Sequence, residues 1–577
     1  MAGLTISATG WVNNLIVYLI TEFNVKSIDA AQIFNIVNGC MALFPVVGAI
    51  IADSCIGCFS VIWISSIINL LGIILFTLTA SFSTLRPKPC SESGICESPS
   101  QFQYAILILA MGLGSIGAAG TRFTMGTMGA NQLDNQKHQE NFFNWFLFTW
   151  NTSSIIAATA IVFVEDDVSW AWGFGICVAA NVLGLIIFLA GKRFYRDVRP
   201  QGSPFKSLAC VIIAAISKRK LQLSDKTQDY HNEIILDDGG KEVPVKAAPT
   251  ESFKFLNRAA IVTQEDTRQD GSIKKSSSSS SSWTLCTVQQ VEDLKTLIRI
   301  IPLWISGIFL STPIGIQASL TILQAITMDR QIGSNFKIPS ASIMVFVLIS
   351  GAISLTIIDR LLGPIWEKIT CKPLTPLQRI GIGHVLNVLS MAISAFVESK
   401  RLRAAKSHKF LQDSPVSVVP ISVLWLIPQL IAVGMGEAFH FPGQASLYYQ
   451  EFPASLKSTS TAMVAMLIGI AFYLSSAFID LFRSVTNWLP DNINQGRLDN
   501  VYWVLVVVGG VNFVYYVVCA CLYRYQNNQL SENRRIWILI LCRLLGMSCE
   551  DWGRLVKWNA KEREEKERRE WAGSADC

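Results

Sequence analysis

Six polar residues set inside apolar runs carry the chemistry this sequence offers: Arg122, Glu437, His440, Gln317, Asn38 and Asn151. An ionisable side chain within a run long enough to cross a bilayer is costly and marks a functional site by default. Arg122 stands in Gly120-Thr121-Arg122-Phe123, and Glu437 in Gly434-Met435-Gly436-Glu437-Ala438. A guanidinium in a cavity presents a fork of N–H donors that suits a small oxyanion. A carboxylate opposite it offsets the charge when the anion is absent. The plainer reading of this pair is a static ion pair that holds a bundle together, since uncompensated burial costs several kcal/mol. His440, three residues beyond Glu437, shares its helix face and can bind substrate, titrate or simply pack. Gln317, Asn38 and Asn151 are candidates to line the same cavity.

Enzyme chemistry finds no foothold. There is no G-x-S-x-G elbow, no Walker loop and no H-E-x-x-H, and the five histidines are widely spaced. No catalytic residue, metal or cofactor is expected. The formal net charge of +6 is not a nucleic-acid signal, because the basic residues gather between hydrophobic runs.

The elements that must hold these side chains are membrane spans. Of the 577 residues 51% are hydrophobic and 16% charged, against about 25% charged in soluble domains. A spanning helix needs about 20 mostly apolar residues. Twelve runs qualify, at 3–23, 31–52, 61–81, 102–126, 142–164, 171–191, 296–327, 338–358, 377–397, 416–443, 460–481 and 500–522. Pro302, Pro313 and Gly315 are expected to bend the long seventh run. Met1 leads straight into an apolar run, so no cleavable signal peptide is expected. The organisation is a first half (1–191), a linker (192–295), a second half (296–522) and a tail (523–577). The linker opens with Lys192-Arg193-Phe194-Tyr195-Arg196, and the tail is also basic. Both fall on one side in a twelve-span chain, which makes that side, with both termini, cytosolic. Residues 400–409 disagree: Lys400, Arg401, Arg403, Lys406 and Lys409 fall on the opposite side. Within the linker, Leu208–Lys220 suits an interfacial helix. Ser276–Ser282 reads as a disordered tether or as a platform for a regulatory kinase. In the tail, Ile536–Met547 is too short to span, and Lys561–Glu570 alternates charge like a solvated helix. Most of the fourteen cysteines lie inside apolar runs and read as small hydrophobes. Cys90 and Cys96 share an outer loop, where a local disulfide is one of two readings.

The chain repeats itself. Asp53-Ser54-Cys55-Ile56-Gly57 follows the second span, and Asp359-Arg360-Leu361-Leu362-Gly363 follows the eighth. Recurrence of Asp-x-x-x-Gly six helices apart implies two parallel six-helix halves, the plan of major facilitator transporters. Asp53 and Asp359 are expected to cap or pair with a neighbouring helix, and Gly57 and Gly363 to permit a tight turn. Their role is gating and structure. The fold class is thus an all-α membrane protein of twelve helices in two pseudo-symmetric halves.

Longer motifs carry a family likeness. They are Gly48-x-x-x-Ala52-Asp53-Ser54-x-x-Gly57, Phe142-Phe143-Asn144-Trp145-Phe146, and Val168-Ser169-Trp170 with Gly173-Phe174-Gly175. Val291-Glu292-Asp293-Leu294-Lys295 with Arg299, Pro302 and Trp304, and Leu377-Gln378-Arg379-Ile380-Gly381-Ile382-Gly383, complete the set. Over residues 1–525 the sequence resembles the nitrate transporter 1/peptide transporter family of plants. Gly10-Trp11-Val12-Asn13-Asn14-Leu15, Lys26-Ser27-Ile28-Asp29 and Ser311-Thr312-Pro313-Ile314-Gly315-Ile316-Gln317 resemble its nitrate excretion subgroup in the plasma membrane. The resemblance implies an acid at Glu437 and places Arg122 where the family has Lys. It also implies departures. The proton-linked E-x-x-E-R of helix one falls on Met1, Leu4 and Thr5, and a helix-seven histidine that binds nitrate in a relative falls on Ile314. The family's cytosolic N-terminal extension is also missing, for which a truncated start is one explanation.

Together these lead to an expected plasma-membrane transporter of nitrate or a similar small anion, working as efflux or with weak proton coupling. The alternatives are a proton-coupled carrier of peptide, glucosinolate or hormone conjugate, and a nitrate sensor or scaffold that moves nothing.

Overall fold

The computed structural model describes residues 1–523 except 53–55, 89–96, 123, 131, 134–135, 197–203, 224–228, 233, 237–241, 245–248, 264–282, 335, 371–372, 408–417 and 453–456. Asp53, Cys90, Cys96, the serine run and the tail segments named above lie outside the described residues.

The first half comprises α1 (Ala2–Asn13) and α2 (Leu15–Phe23), α3 (Ser27–Ile51), α4 (Gly57–Ser81), α5 (Gln101–Arg122) with α6 (Thr124–Ala130), α7 (Gln136–Ile156) and α8 (Trp170–Ala190). After a linker helix, α9 (Pro204–Ser217), come α10 (Val288–Ile326), α11 (Val345–Ile357) with α12 (Gly363–Thr370), α13 (Pro376–Ser407), α14 (Ile427–Glu451), α15 (Lys457–Val485) and α16 (Leu498–Leu522). Among the described residues eleven runs are long and apolar enough to cross a membrane. The pair α1 and α2, bent by 49°, makes a twelfth. Met1–Gly509 forms one compact unit, and the second part of α16 belongs to another, Gly510–Cys577. Strand is confined, among the described residues, to three two-stranded patches. Ile234–Leu236 with Glu242–Pro244 and Gln331–Ile332 with Phe336–Lys337 are antiparallel, whereas Met328–Asp329 with Val419–Ser422 is parallel.

Small residues let the helices close on each other, as expected where lipid supplies no hydrophobic drive between helices. A Cβ on Gly72 would meet the Gly114 backbone nitrogen at 2.5 Å, and one on Gly117 would strike the Asn69 backbone. The α4–α5 seam therefore has no room at these sites. Gly117→Val should destabilise the protein by about 1–3 kcal/mol or more, the range for forcing volume into a packed interior. A fall in the thermal unfolding midpoint in detergent checks it.

The two Asp-x-x-x-Gly segments differ locally. Gly57 has φ +77°, a left-handed turn that favours glycine. Gly363 has φ −60° and continues a π-helical turn, Ile358–Leu362, into α12, so the tight turn expected there is absent. Asp359 pairs with Arg379 of α13 at 3.1 Å.

The end of the bundle opposite the linker, the far end, accounts for one of the stray cations at 400–409, Arg401. Helix α13 runs on to Ser407, and Arg401 is fully buried within it. Its guanidinium donates to both carboxylate oxygens of Glu398 at 2.7 and 2.8 Å, to Thr327 Oγ1 at 3.0 Å and to Asn494 Oδ1 at 2.5 Å. Gln324 donates to Glu398 at 2.6 Å, and the Tyr502 hydroxyl donates to Gln324 at 3.3 Å. Lys400 sits over the Trp425 ring at 3.2 Å, and Lys406 occupies the last turn of α13, where a cation complements the helix dipole. Of these cations Arg401 serves packing, while Lys400, Arg403 and Lys406 are exposed.

The two halves also meet at the far end. Asp491 pairs with Lys26 and with Arg483, both at 2.9 Å, and Arg483 also pairs with Asp29 of α3. Asp166 pairs with Arg330 at 3.4 Å. Deeper, Asn35 donates to Ser319 at 3.2 Å, and the Ser476 hydroxyl donates to the Gln32 carbonyl at 3.2 Å.

The described parts of the linker are packed, unlike a plain tether. Val211 and Ala214 of α9, Leu256, Ala259 and Ala260, and Val288 and Val291 of α10 share one apolar core. The first turn of α10 is fixed by a capping box between Thr287 and Gln290. Lys295 donates to the Thr250 carbonyl at 2.8 Å and pairs with Glu292 at 2.7 Å. On the other face of α9, Ile212, Ile213 and Ile216 are exposed, the amphipathic pattern of a helix lying on a membrane.

Candidate functional site

Polar side chains reach the centre of the bundle only where a helix carries them past its apolar face. Along α7, Phe146, Trp150 and Ser154 recur at four-residue spacing and form one stripe. With residues of α1, α3, α5, α11, α14 and α15 they line a cavity of about 340 Å³ between the halves. Among the described residues its charged side chains are Arg122 and Glu437.

Arg122 ends α5, and its guanidinium carbon lies 4.6 Å from the centre of the Trp150 ring. Cation–π attraction of this kind contributes about 0.5–2 kcal/mol, more when desolvated, and fixes where the charge sits. Glu437 enters from α14. Among the described residues the ion pairs do not include one between Arg122 and Glu437, although both face the same space. Arg122 and Glu437 lie at different distances from the ends of their helices. Arg122 lies eight residues before Ala130, where α6 ends, but Glu437 lies fourteen before Glu451. The tenth span was expected to stop near Pro442 and Gly443. Instead α14 continues through Pro442 to Glu451, so Glu437 sits about 21 Å from that helix end.

Asn38 also lines the cavity, with its amide nitrogen donating to the Phe34 carbonyl at 2.8 Å. The other candidates are placed elsewhere. Gln317 donates to Ser390 at 3.0 Å and Ser394 at 2.8 Å, joining α10 to α13 within the second half. His440 is fully buried against α13, where a Cβ on Gly383 would meet its Cβ at 2.6 Å. Asn151 lies on α7 beside Trp150, outside the lining. Sequence reasoning missed Trp150 and Ser154, whose signal was their spacing from Phe146. Met1, Leu4 and Thr5 all line the cavity. The positions matched to the family's helix-one charges therefore face it, two with apolar side chains and one with a hydroxyl.

Membrane-spanning helices in two halves around a central charged cavity define a multi-pass membrane transporter of the major facilitator type. A family model described as "PTR2: POT family" matches residues 59–496, and the chain belongs to that family. It is 53% identical over 536 residues to Protein NRT1/ PTR FAMILY 2.7 of Arabidopsis thaliana, covering 93% of each. It is 50% identical to Protein NRT1/ PTR FAMILY 2.6 of the same plant, covering 92% of each. The fold matches a crystal structure of an auto-inhibited POT family peptide transporter with TM-score 0.66 at 15% identity, covering 91% of this chain and 96% of that one.

Proposed function

We propose that this protein carries nitrate or a similar small anion across the plasma membrane by alternating access, as efflux or with weak proton coupling. The linker and both termini are cytosolic in this reading, and the nitrate excretion subgroup is its home. The observation that carries it is a cavity lined by both Arg122 and Glu437, where the helix-one acid positions hold Met1 and Leu4. Arg122 attracts the anion, and its planar fork matches a planar oxyanion. Glu437 balances that charge in the empty state, so anion and carboxylate compete for one cation. The far-end pairs between the halves are partly exposed, with Lys26 at 62% and Asp491 at 42%. Exposed pairs are worth about 0–1 kcal/mol each, weak enough to form and break in each transport cycle.

Nitrate flux into proteoliposomes, with and without an imposed pH gradient, tests the coupling. The expected result is downhill nitrate flux that persists at a similar rate when the gradient is collapsed. Strong uphill accumulation driven by an inward proton gradient alone would overturn weak coupling.

A second reading follows from the size of the cavity. About 340 Å³ lies within the range of about 300–1,000 Å³ typical of sites for organic ligands. A peptide, glucosinolate or hormone conjugate then replaces the small anion, and competition by dipeptides against nitrate separates the two.

A further inference from the structure

The three acids at the end of the fifth span have different environments. Asp167 is exposed, Asp166 reaches Arg330 across the halves, and Glu165 turns into the first half with 1% of its surface exposed. Neither carboxylate oxygen of Glu165 has a hydrogen-bond partner among the described residues.

The surroundings are shaped to this side chain. Two π-helical segments, Ala157–Ile161 and Val164–Val168, follow α7. Such turns are rare and often stand at functional sites. Opposite, on α8, a Cβ at Gly173 would collide with the Glu165 side chain, so the glycine is a cradle for it. Asn14, at the break between α1 and α2, lies beside the carboxyl, and its own amide atoms also lack partners. The titratable groups facing Glu165 are Tyr18 of α2, Cys177 of α8 and Asp166 on its own turn. The Tyr18 hydroxyl is engaged with Thr79 at 2.9 Å. No cation acts on Glu165 among the described residues.

A buried carboxylate without a counter-charge bears a large cost of lost hydration when ionised, and the Asn14 side chain is the neutral polar group set beside it. Glu165 does not line the central cavity. The next residue along its turn, Asp166, is tied to Arg330 at the far end. Breaking that tie releases the turn that carries Glu165. The O–H bond then ionises, the proton passes to far-end water, and a hydrated carboxylate remains.

We propose that Glu165 is a proton-binding site for the far-end solution, protonated while the Asp166–Arg330 bridge is closed and ionised when it opens. The proton returns to the side it came from. The site therefore tunes opening by pH without driving net transport. Only the statement that this solution is extracellular rests on the proposed orientation.

Hydrogen exchange of the full chain in nanodiscs, without nitrate, tests the proposal on peptides covering residues 157–173. Releasing one proton per opening raises the opening constant by up to about tenfold per pH unit. Wild-type protection, corrected for intrinsic exchange, should therefore fall by at least about tenfold from about pH 5 to about pH 8. Glu165→Gln, neutral and equal in size, should keep acid-level protection at both. Arg330→Gln should lower protection at both. Wild-type protection that ignores pH overturns the proposal on its own, as does a glutamine variant that follows the wild type. Because no substrate is present, failure of the nitrate reading leaves this outcome unaffected.

Discussion

If the proposed function holds, Arg122→Ala is expected to reduce nitrate flux into proteoliposomes by at least about tenfold at matched protein density. Hydrogen bonds to a charged group contribute about 1.5–3 kcal/mol, which corresponds to roughly tenfold or more in affinity. Arg122→Lys keeps the charge but loses the fork, and it retains part of the flux. It also weakens the contact with Trp150, because an ammonium stacks less well on a ring than a guanidinium. Glu437→Gln removes the competing charge and alters turnover or coupling while leaving expression near the wild-type level. Normal flux in the alanine variant would remove Arg122 from the transport path.

The largest loss of stability is expected at the far end. Arg401→Leu leaves Glu398 buried, with only the Gln324 amide among its described partners outside its own pair. Breaking a buried pair from one side costs about 3–5 kcal/mol. The double variant Glu398→Leu with Arg401→Leu should recover much of that loss, because an apolar pair of similar volume is often neutral or stabilising. Thermal unfolding in detergent measures both. A double variant no more stable than the single one would show that the hydrogen bonds to Thr327 and Asn494 matter more than the charge pair.

The spans were legible because about 20 apolar residues in a row can do little else in a chain this poor in charge. Their ends were not. Proline and glycine at 442–443 read as a stop, yet α14 passes through them, since proline is tolerated inside helices that cross a membrane. Arg401 read as a topology signal because a sequence does not show that Glu398 is waiting one turn away in a buried pocket. Arg122, Glu437 and Asn38 were found by the cost of a polar group in an apolar run. The same rule picked Gln317 and His440, which lie outside the cavity lining, since it cannot separate a side chain facing a cavity from one packed between helices. Trp150 escaped notice because an aromatic residue in a span looks like lipid-facing bulk. Glu165 escaped because it follows the fifth apolar run and reads as a loop acid, whereas the structure buries it within a π-helical turn.

Helix α10 has a mechanical consequence. Its 39 residues run unbroken through Pro302 and Pro313 and reach about 58 Å, nearly twice the thickness of a hydrocarbon core. A continuous helix of this length acts as a lever arm whenever it tilts as one body. The far-end polar network holds one tip through Gln324, and the linker core is fastened to the other through Val288 and Val291. A rigid tilt of about 10° pivoting at the first tip sweeps the second through about 10 Å. A fluorophore on the linker would therefore register small rotations within the membrane as large displacements in the aqueous phase.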